Sequence, residues 1–430
     1  MTLYDFSCNY YFKDRFDAIV LIDHYKATKG ITQKEINEKA DIPKSNFRRA
    51  QQKGFSGYED MLQKMVDFFG IKSPVEPETV VAFDDHFSQF YTCICFSKFD
   101  HAIPYYEKLM AIFDQNRASI LMIPAYLAQL IYYVSEVNYT NKINHAKIEE
   151  AVNVLKDFVD KMSNEHRFLY YEYMTAYAGI KKDPEKVVHY ARLTIYMSAN
   201  YPDFEPTSNY HVSFAYSMVG DYINGLIYAN KALPKLEEQL NYNKAIFCRM
   251  NIATYYKKLG NVDEALRILK KNLIYLRFND IQRLNRVTYI SYADCMLQNG
   301  NHKEALDYYL KIENECTKKP EYESLMATYC MYRLGQFERA SKYIDNLLEA
   351  RRMQVYPDEY LSLVLFFRAF YEHASIEEID NAYKNAEKYM PDYRFRGYFI
   401  QDVAKELHDE LITKKATKPV KQVSSEDYLM

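Results

Sequence analysis

The chain has 430 residues, 48% hydrophobic and 26% charged, with only 11 Gly, 13 Pro and a net charge of −3. That balance predicts a well-packed, mostly helical protein and excludes one coated in nucleic acid along its length. No apolar run is long enough to span a bilayer, and Met1–Phe12 lacks the charged start and apolar core of a signal peptide.

Residues 14–29 carry Phe16, Ile19, Val20 and Leu21 among their apolar positions and end at Gly30, which predicts a first helix. Thr32 is a fair N-cap for a second helix running to Ala40, with Glu35 completing a capping box. Asp41-Ile42-Pro43 breaks it, and Lys44–Lys53 forms a third. After the loop Gly54–Gly57, Tyr58–Gly70 forms a fourth, with Met61, Leu62, Met65, Phe68 and Phe69 on its apolar side. Two short helices joined by a three-residue turn have the spacing of a DNA-reading helix-turn-helix. Arg can fork onto guanine, Asn onto adenine, and Lys can neutralise phosphate. Ile36, Ala40, Ile42 and Phe47 are the expected small core.

This segment resembles the Xre (lambda-repressor-like) family. The resemblance implies that Lys44, Ser45, Asn46, Arg48 and Arg49 read bases or backbone, and that Gln33 meets a phosphate. Asn37 stands where that family usually has Ala, and Asp41 where it usually has Gly. Residues 1–72 hold twelve Lys/Arg against ten Asp/Glu, so one copy is weakly cationic and a homodimer is expected on DNA. The alternative is a helical cap on whatever follows.

Ser73-Pro74-Val75-Glu76-Pro77-Glu78 is proline-punctuated and marks a linker over 73–80. Beyond it one phrase returns: Val219-Gly220-Asp221, Leu259-Gly260-Asn261, Asn299-Gly300-Asn301 and Leu334-Gly335-Gln336, the glycines 40, 40 and 35 residues apart. Five residues after each glycine comes Gly225, Ala265, Ala305 or Ala340. Self-similarity at this period marks a helical-hairpin solenoid. Weaker copies lie at Lys98–Ala102, Ile148–Ala151, Asp183–Val187 and Ile376–Ala382, giving seven or eight hairpins over 81–412. The polar segment 413–430 is expected to be a disordered tail. These segments resemble tetratricopeptide repeats, which implies an all-α fold in which a right-handed superhelix follows the lambda-repressor-like head.

Counting back from the turn glycines puts Tyr210, Met250, Thr254, Asp294 and Tyr329 among the wall residues of the first helices, and the row Tyr210, Asn251, Thr254, Asp294 and Tyr329 is the expected peptide site. Aromatic faces and hydrogen-bonding groups along one surface suit an extended peptide, and Asp294 is the position expected to meet a peptide cation. Ordinary seam packing is the alternative for each one singly. No phosphate loop, HExxH or GxSxG is present, so no catalytic residue, metal or cofactor is expected, and a solvated linker accounts for Asp84-Asp85-His86. Seven scattered cysteines without a CxxC pair read as reduced thiols of a cytoplasmic protein.

An Xre-like head on a tetratricopeptide array resembles the peptide-pheromone-responsive regulators of the Rap, Rgg, NprR, PlcR and PrgX group. The resemblance implies a dimeric transcriptional regulator for a double-stranded DNA operator, switched by a short linear signalling peptide in the groove. The competing class is a non-transcriptional adaptor that binds a protein through its N-terminal helices, as the Rap members do with a plain three-helix bundle.

Overall fold

The computed structural model describes residues 7–13, 15–140, 143–277, 282–315, 322–352, 358–389 and 398–417, and every regular element among them is helical. Among these residues no helix is long and apolar enough to cross a membrane. A 3-10 turn, Cys8–Phe12, leads into α1 (Phe16–Lys29), α2 (Gln33–Lys39), α3 (Lys44–Gln52) and α4 (Glu59–Phe69). Then come α5 (Pro77–Cys95), α6 (Phe99–Asp114), α7 (Met122–Thr140), α8 (His145–Leu155), α9 (Asn164–Ile180), α10 (Pro184–Ser198), α11 (Glu205–Met218) and α12 (Tyr222–Glu238). The series continues with α13 (Tyr242–Lys258), α14 (Val262–Leu276), α15 (Gln282–Gln298), α16 (His302–Glu315), α17 (Tyr322–Arg333), α18 (Phe337–Arg352), α19 (Asp358–Tyr371), α20 (Ile376–Glu387) and α21 (Tyr398–Thr417). The chain divides into two compact units, Met1–Asn251 and Ile252–Met430. The division falls inside α13 rather than at the proline-rich segment.

The repeated glycine closes a hairpin. Gly260 has φ +85°, a left-handed conformation that costs other L-residues strain, and a Cβ there would meet nothing within 4 Å. Conformation, not crowding, therefore demands glycine. The reversal is a Schellman turn: Asn261 N–H donates to Tyr256 O at 2.8 Å and Gly260 N–H to Lys257 O at 3.1 Å. The Asn261 side chain then accepts from Glu264 N–H and starts α14. One short phrase thus ends one helix and begins the next. Asp221 and Asn301 cap α12 and α16 in the same way. Ala265, Ala305 and Ala340 are completely buried, which lets the second helix lie close on its neighbour.

Three of the weaker copies, at Lys98, Asp183 and Ile376, make the same turn without glycine. Ser97, Lys182 and His373 have φ of +55°, +56° and +54°. Lys98, Asp183 and Ala374 N–H groups then reach back to Cys93, Ala178 and Ala369 carbonyls as in the glycine turns.

Two expected boundaries move. Pro77 is the first residue of α5, where a missing N–H costs nothing, so the expected 73–80 linker ends at Glu76. Asp84-Asp85-His86 consequently lies within α5 rather than in a solvated linker, and Asp84 accepts the Cys8 N–H on both oxygens, at 3.1 and 3.0 Å. At the far end α21 continues to Thr417, past the expected limit at 412, because Val403, Ala404 and Leu407 bury an apolar stripe along it. Residues 418–430 lie outside the described residues. Of the cysteines described, Cys8, Cys95, Cys248, Cys295 and Cys330 are buried, and Cys93 is half-buried; Cys316 lies outside them.

Within the first unit, the N-terminal bundle is seated on the array. The hydroxyl of Tyr11, fully buried, shares a 2.7 Å hydrogen bond with His166 Nδ1 and accepts from Ser163 N–H at 3.4 Å. Ser73 Oγ donates to Asp17 Oδ2 at 2.5 Å, Lys72 N–H donates to Ala118 O, and the His24 ring packs on Phe158. Burial pushes the His166 imidazole down to about 4, so the ring that bonds Tyr11 is neutral at neutral pH.

Two predictions follow from these contacts. Gly260→Ala should lower stability by about 1 kcal/mol, and Lys182→Gly should raise it by about 0.5–1 kcal/mol, because each exchanges the cost of a side chain at positive φ. Urea denaturation of both variants measures the pair, and equal signs would mean that the turns are not what limits these positions. For His166, the folded value lies below the ordinary 6.5, so its contribution is complete above pH 6.5 and declines as pH falls toward 4, by up to about 3 kcal/mol. The stability difference between wild type and His166→Phe should shrink by that amount on acidification from pH 7 to pH 4. A difference independent of pH would remove His166 as the titrating group.

Candidate functional site

The segment expected to be a helix-turn-helix comprises α2 and α3. The capping box forms, with Thr32 N–H on Glu35 Oε2 at 2.8 Å and Glu35 N–H on Thr32 Oγ1 at 3.3 Å. Asp41 has φ +51°, which explains how it replaces a turn glycine: Asp is among the residues that tolerate the left-handed region. Lys64 Nζ fixes that turn on the Asp41 carbonyl at 2.8 Å. Ile36, Ile42 and Ala50 are buried and orient α3, while Ala40 and Phe47 are half-buried and Phe55 completes the cluster. Asn46, Arg48 and Arg49 are exposed, and their side chains make no hydrogen bond or ion pair among the described residues. The side chains of Lys44 and Ser45 lie outside the described residues.

Gln33 departs from expectation. It is half-buried, accepts from Lys26 Nζ at 2.8 Å and donates to Asn37 Oδ1 at 2.8 Å. Asn37, itself buried, needs that partner, so the amide expected at a phosphate serves the inside of the bundle.

In the first unit, the wall gathers around a carboxylate that no motif announced. Glu172 of α9 is fully buried, takes His211 Nδ1 of α11 at 2.8 Å and accepts from the Tyr91 hydroxyl of α5 at 3.2 Å. Lys244 of α13, 2% exposed, sets its ammonium 5.4 Å from the Tyr210 ring centroid. Burial lowers both the His211 and Lys244 values, and for His211 the bond to Glu172 acts in the opposite direction. Tyr210 is therefore a wall residue committed to stacking under a cation. Asn251 is half-buried, and its Nδ2 is buried without a hydrogen-bond partner. The sequence did carry one signal for Glu172: it is the lone carboxylate in Phe168–Ile180, a run that is apolar or aromatic on every face.

In the second unit, Thr254 is exposed at the end of α13. Asp294, expected to await a peptide cation, is instead buried and already met: the Tyr309 hydroxyl donates to Oδ1 at 2.5 Å, and Lys257 Nζ stands 3.9 Å from Oδ2. A carboxylate in that position would be costly to desolvate alone, so the fold supplies its partners. Arg286 likewise grips the fully buried Glu323 with Nε and Nη2 at 2.9–3.1 Å. Tyr329, 3% exposed, accepts from Arg333 Nε at 2.9 Å and donates to Glu406 Oε1 of α21 at 3.0 Å. Burial drives its hydroxyl value up to about 12.

No known protein family matches the sequence, and no curated protein matches it significantly. Solved structures do match the fold. The apo form of RapI superposes over 78% of this chain and 98% of its own at a TM-score of 0.57 and 12% identity. NprR in complex with its cognate peptide NprX covers 80% of this chain and 99% of its own, at 0.51 and 18%. A Rap protein complexed with Competence and Sporulation Factor covers 79% and 98%, at 0.56 and 15%. The chain has the all-helical, tetratricopeptide-repeat fold of the Rap and NprR proteins.

Proposed function

We propose that this chain is a DNA-binding transcriptional regulator, active as a cytoplasmic homodimer on double-stranded DNA and switched by a short linear peptide held on the repeat wall. The observation that carries the DNA reading is the face of α3. Asn46, Arg48 and Arg49 point out without internal partners, on a helix whose other side is fixed by buried Ile42 and Ala50. Lys44 and Ser45 precede them on the same helix. Long cationic side chains left free at one helix end suit base edges and phosphates. The peptide reading is supported by the likeness to NprR holding NprX and to Rap holding Competence and Sporulation Factor. It is also supported by Asn251, whose buried amide donor lacks a partner that a peptide carbonyl would supply. Tyr210 in the first unit, and Thr254, Asp294 and Tyr329 in the second, are the other wall positions this reading includes.

A second reading is an adaptor that binds a protein through its N-terminal helices. It is favoured by the seating of the bundle on the array through Tyr11 and His166, which suits a cap as well as a DNA head.

Gel-shift titration with the DNA upstream of the gene separates the two. Arg48→Ala and Arg49→Ala should each weaken binding by about 1–3 kcal/mol where the guanidinium forks onto a base, and uniformly across sequences where it meets only phosphate. A double variant that binds like wild type would leave the adaptor. For the peptide, Asn251→Ala should reduce affinity by about 1–3 kcal/mol while leaving the melting temperature unchanged or raised, because no internal bond is lost. Calorimetry with the peptide encoded beside the gene is the assay, and equal affinities would take Asn251 out of the site.

A further inference from the structure

In a stack of hairpins each repeat touches only its neighbours. The last helix breaks that rule. α21 packs on α19 and α20 of the preceding hairpin, and also on α17, the first helix of the hairpin before that. Its hold on α17 is polar and specific. Glu406 receives the Tyr329 hydroxyl and pairs with Arg333, while Glu410 Oε1 takes Nη1 of the same guanidinium at 2.7 Å. One turn earlier, the charge of Asp402 is felt by Lys258 at the end of α13. Asp402, Glu406 and Glu410 are spaced four apart and form one acidic stripe. Ile400, Val403, Ala404 and Leu407, none more than 2% exposed, form the apolar stripe beside it. Tyr329 lies six residues before its turn glycine, as Thr254 and Asp294 do, so the helix lies along the wall read from the repeats.

We propose that the α17–α19 wall of the second unit recognises an acidic amphipathic segment, that the chain's own α21 occupies it here, and that the regulatory peptide displaces α21 by offering carboxylates to Arg333 and Tyr329. This rests on the reading of the array as peptide-binding, and it names the chemistry of the ligand. The contact is of a kind that can be exchanged. The Glu406 side chain is 45% exposed and that of Arg333 29%, and ion pairs so open to water hold weakly. The buried apolar stripe seats α21, and being part of the same chain gives it a high effective concentration at the wall. A free peptide competes once it makes better contacts, and weakening the tethered helix helps any competitor.

The test uses the full-length chain and a labelled synthetic peptide of residues 398–417 as the probe. Fluorescence anisotropy is read for wild type, for Glu406→Gln/Glu410→Gln, and for that double variant with Arg333→Gln added. The double variant should bind the probe at least about tenfold more tightly than wild type, because its own helix competes less. Hydrogen exchange over 403–407 should quicken in the same protein. Adding Arg333→Gln should abolish the gain. Equal binding to wild type and double variant, or a gain that survives loss of Arg333, would make α21 a plain terminal cap and overturn the inference. Either result leaves the peptide reading of the array standing, since calorimetry with the encoded peptide reports binding anywhere on the chain.

Discussion

The described hairpins that turn at Ser97, Lys182, Gly220, Gly260, Gly300, Gly335 and His373 reverse direction by placing that one residue in the left-handed region. The rest of the structure depends on that constraint. A Schellman turn satisfies the last carbonyls of the first helix, and in the turns after Gly220, Gly260 and Gly300 the Asp or Asn that follows satisfies the first amides of the second. The second helix then returns at once along the first. A small residue at the point of closest approach, such as the buried Ala265 or Ala305, lets the two backbones meet. In the same spirit, Gly179 of α9 lies so near α11 that a Cβ there would stand 2.8 Å from Ala215 Cα. Close pairing brings the first helices alongside one another and makes them a wall.

That wall is unusually polar for a surface so well covered. Glu172, Asp294 and Glu323 are carboxylates with little or no exposure, and a lone buried charge would destabilise the fold severely. Each has therefore acquired partners: His211 and Tyr91, Tyr309 and Lys257, and the fork of Arg286. Such networks hold the first helices in register, because losing one member leaves the others uncompensated. Within each unit these buried carboxylates are thus largely satisfied by the fold itself.

The N-terminal bundle belongs to the same physical body as the first hairpins. The Tyr11–His166 bond, the Asp84 cradle for Cys8 N–H and the Ser73–Asp17 bond leave it no freedom independent of α5 and α9. The arrangement is compatible with a DNA head and with a protein-binding cap alike.

Much of this was legible in the chain itself. Gly220, Gly260, Gly300 and Gly335 announced their turns because positive φ selects glycine, and the Thr32–Glu35 capping box announced α2 because both bonds are local. The hairpins turning at Ser97, Lys182 and His373 were fainter, since the tertiary contacts of the hairpin tolerate the strain that glycine elsewhere avoids. Polar partnerships were not legible. Nothing near Asp294 in sequence reveals that Tyr309 and Lys257 will reach it, nor does anything near Gln33 reveal its commitment to Lys26 and Asn37. Local order is written in backbone conformation and helical period, which a few neighbouring residues determine. Whether a buried carboxylate is free for a ligand or already answered depends on residues brought together only when helices stack, and α21 lying across α17 is the plainest instance.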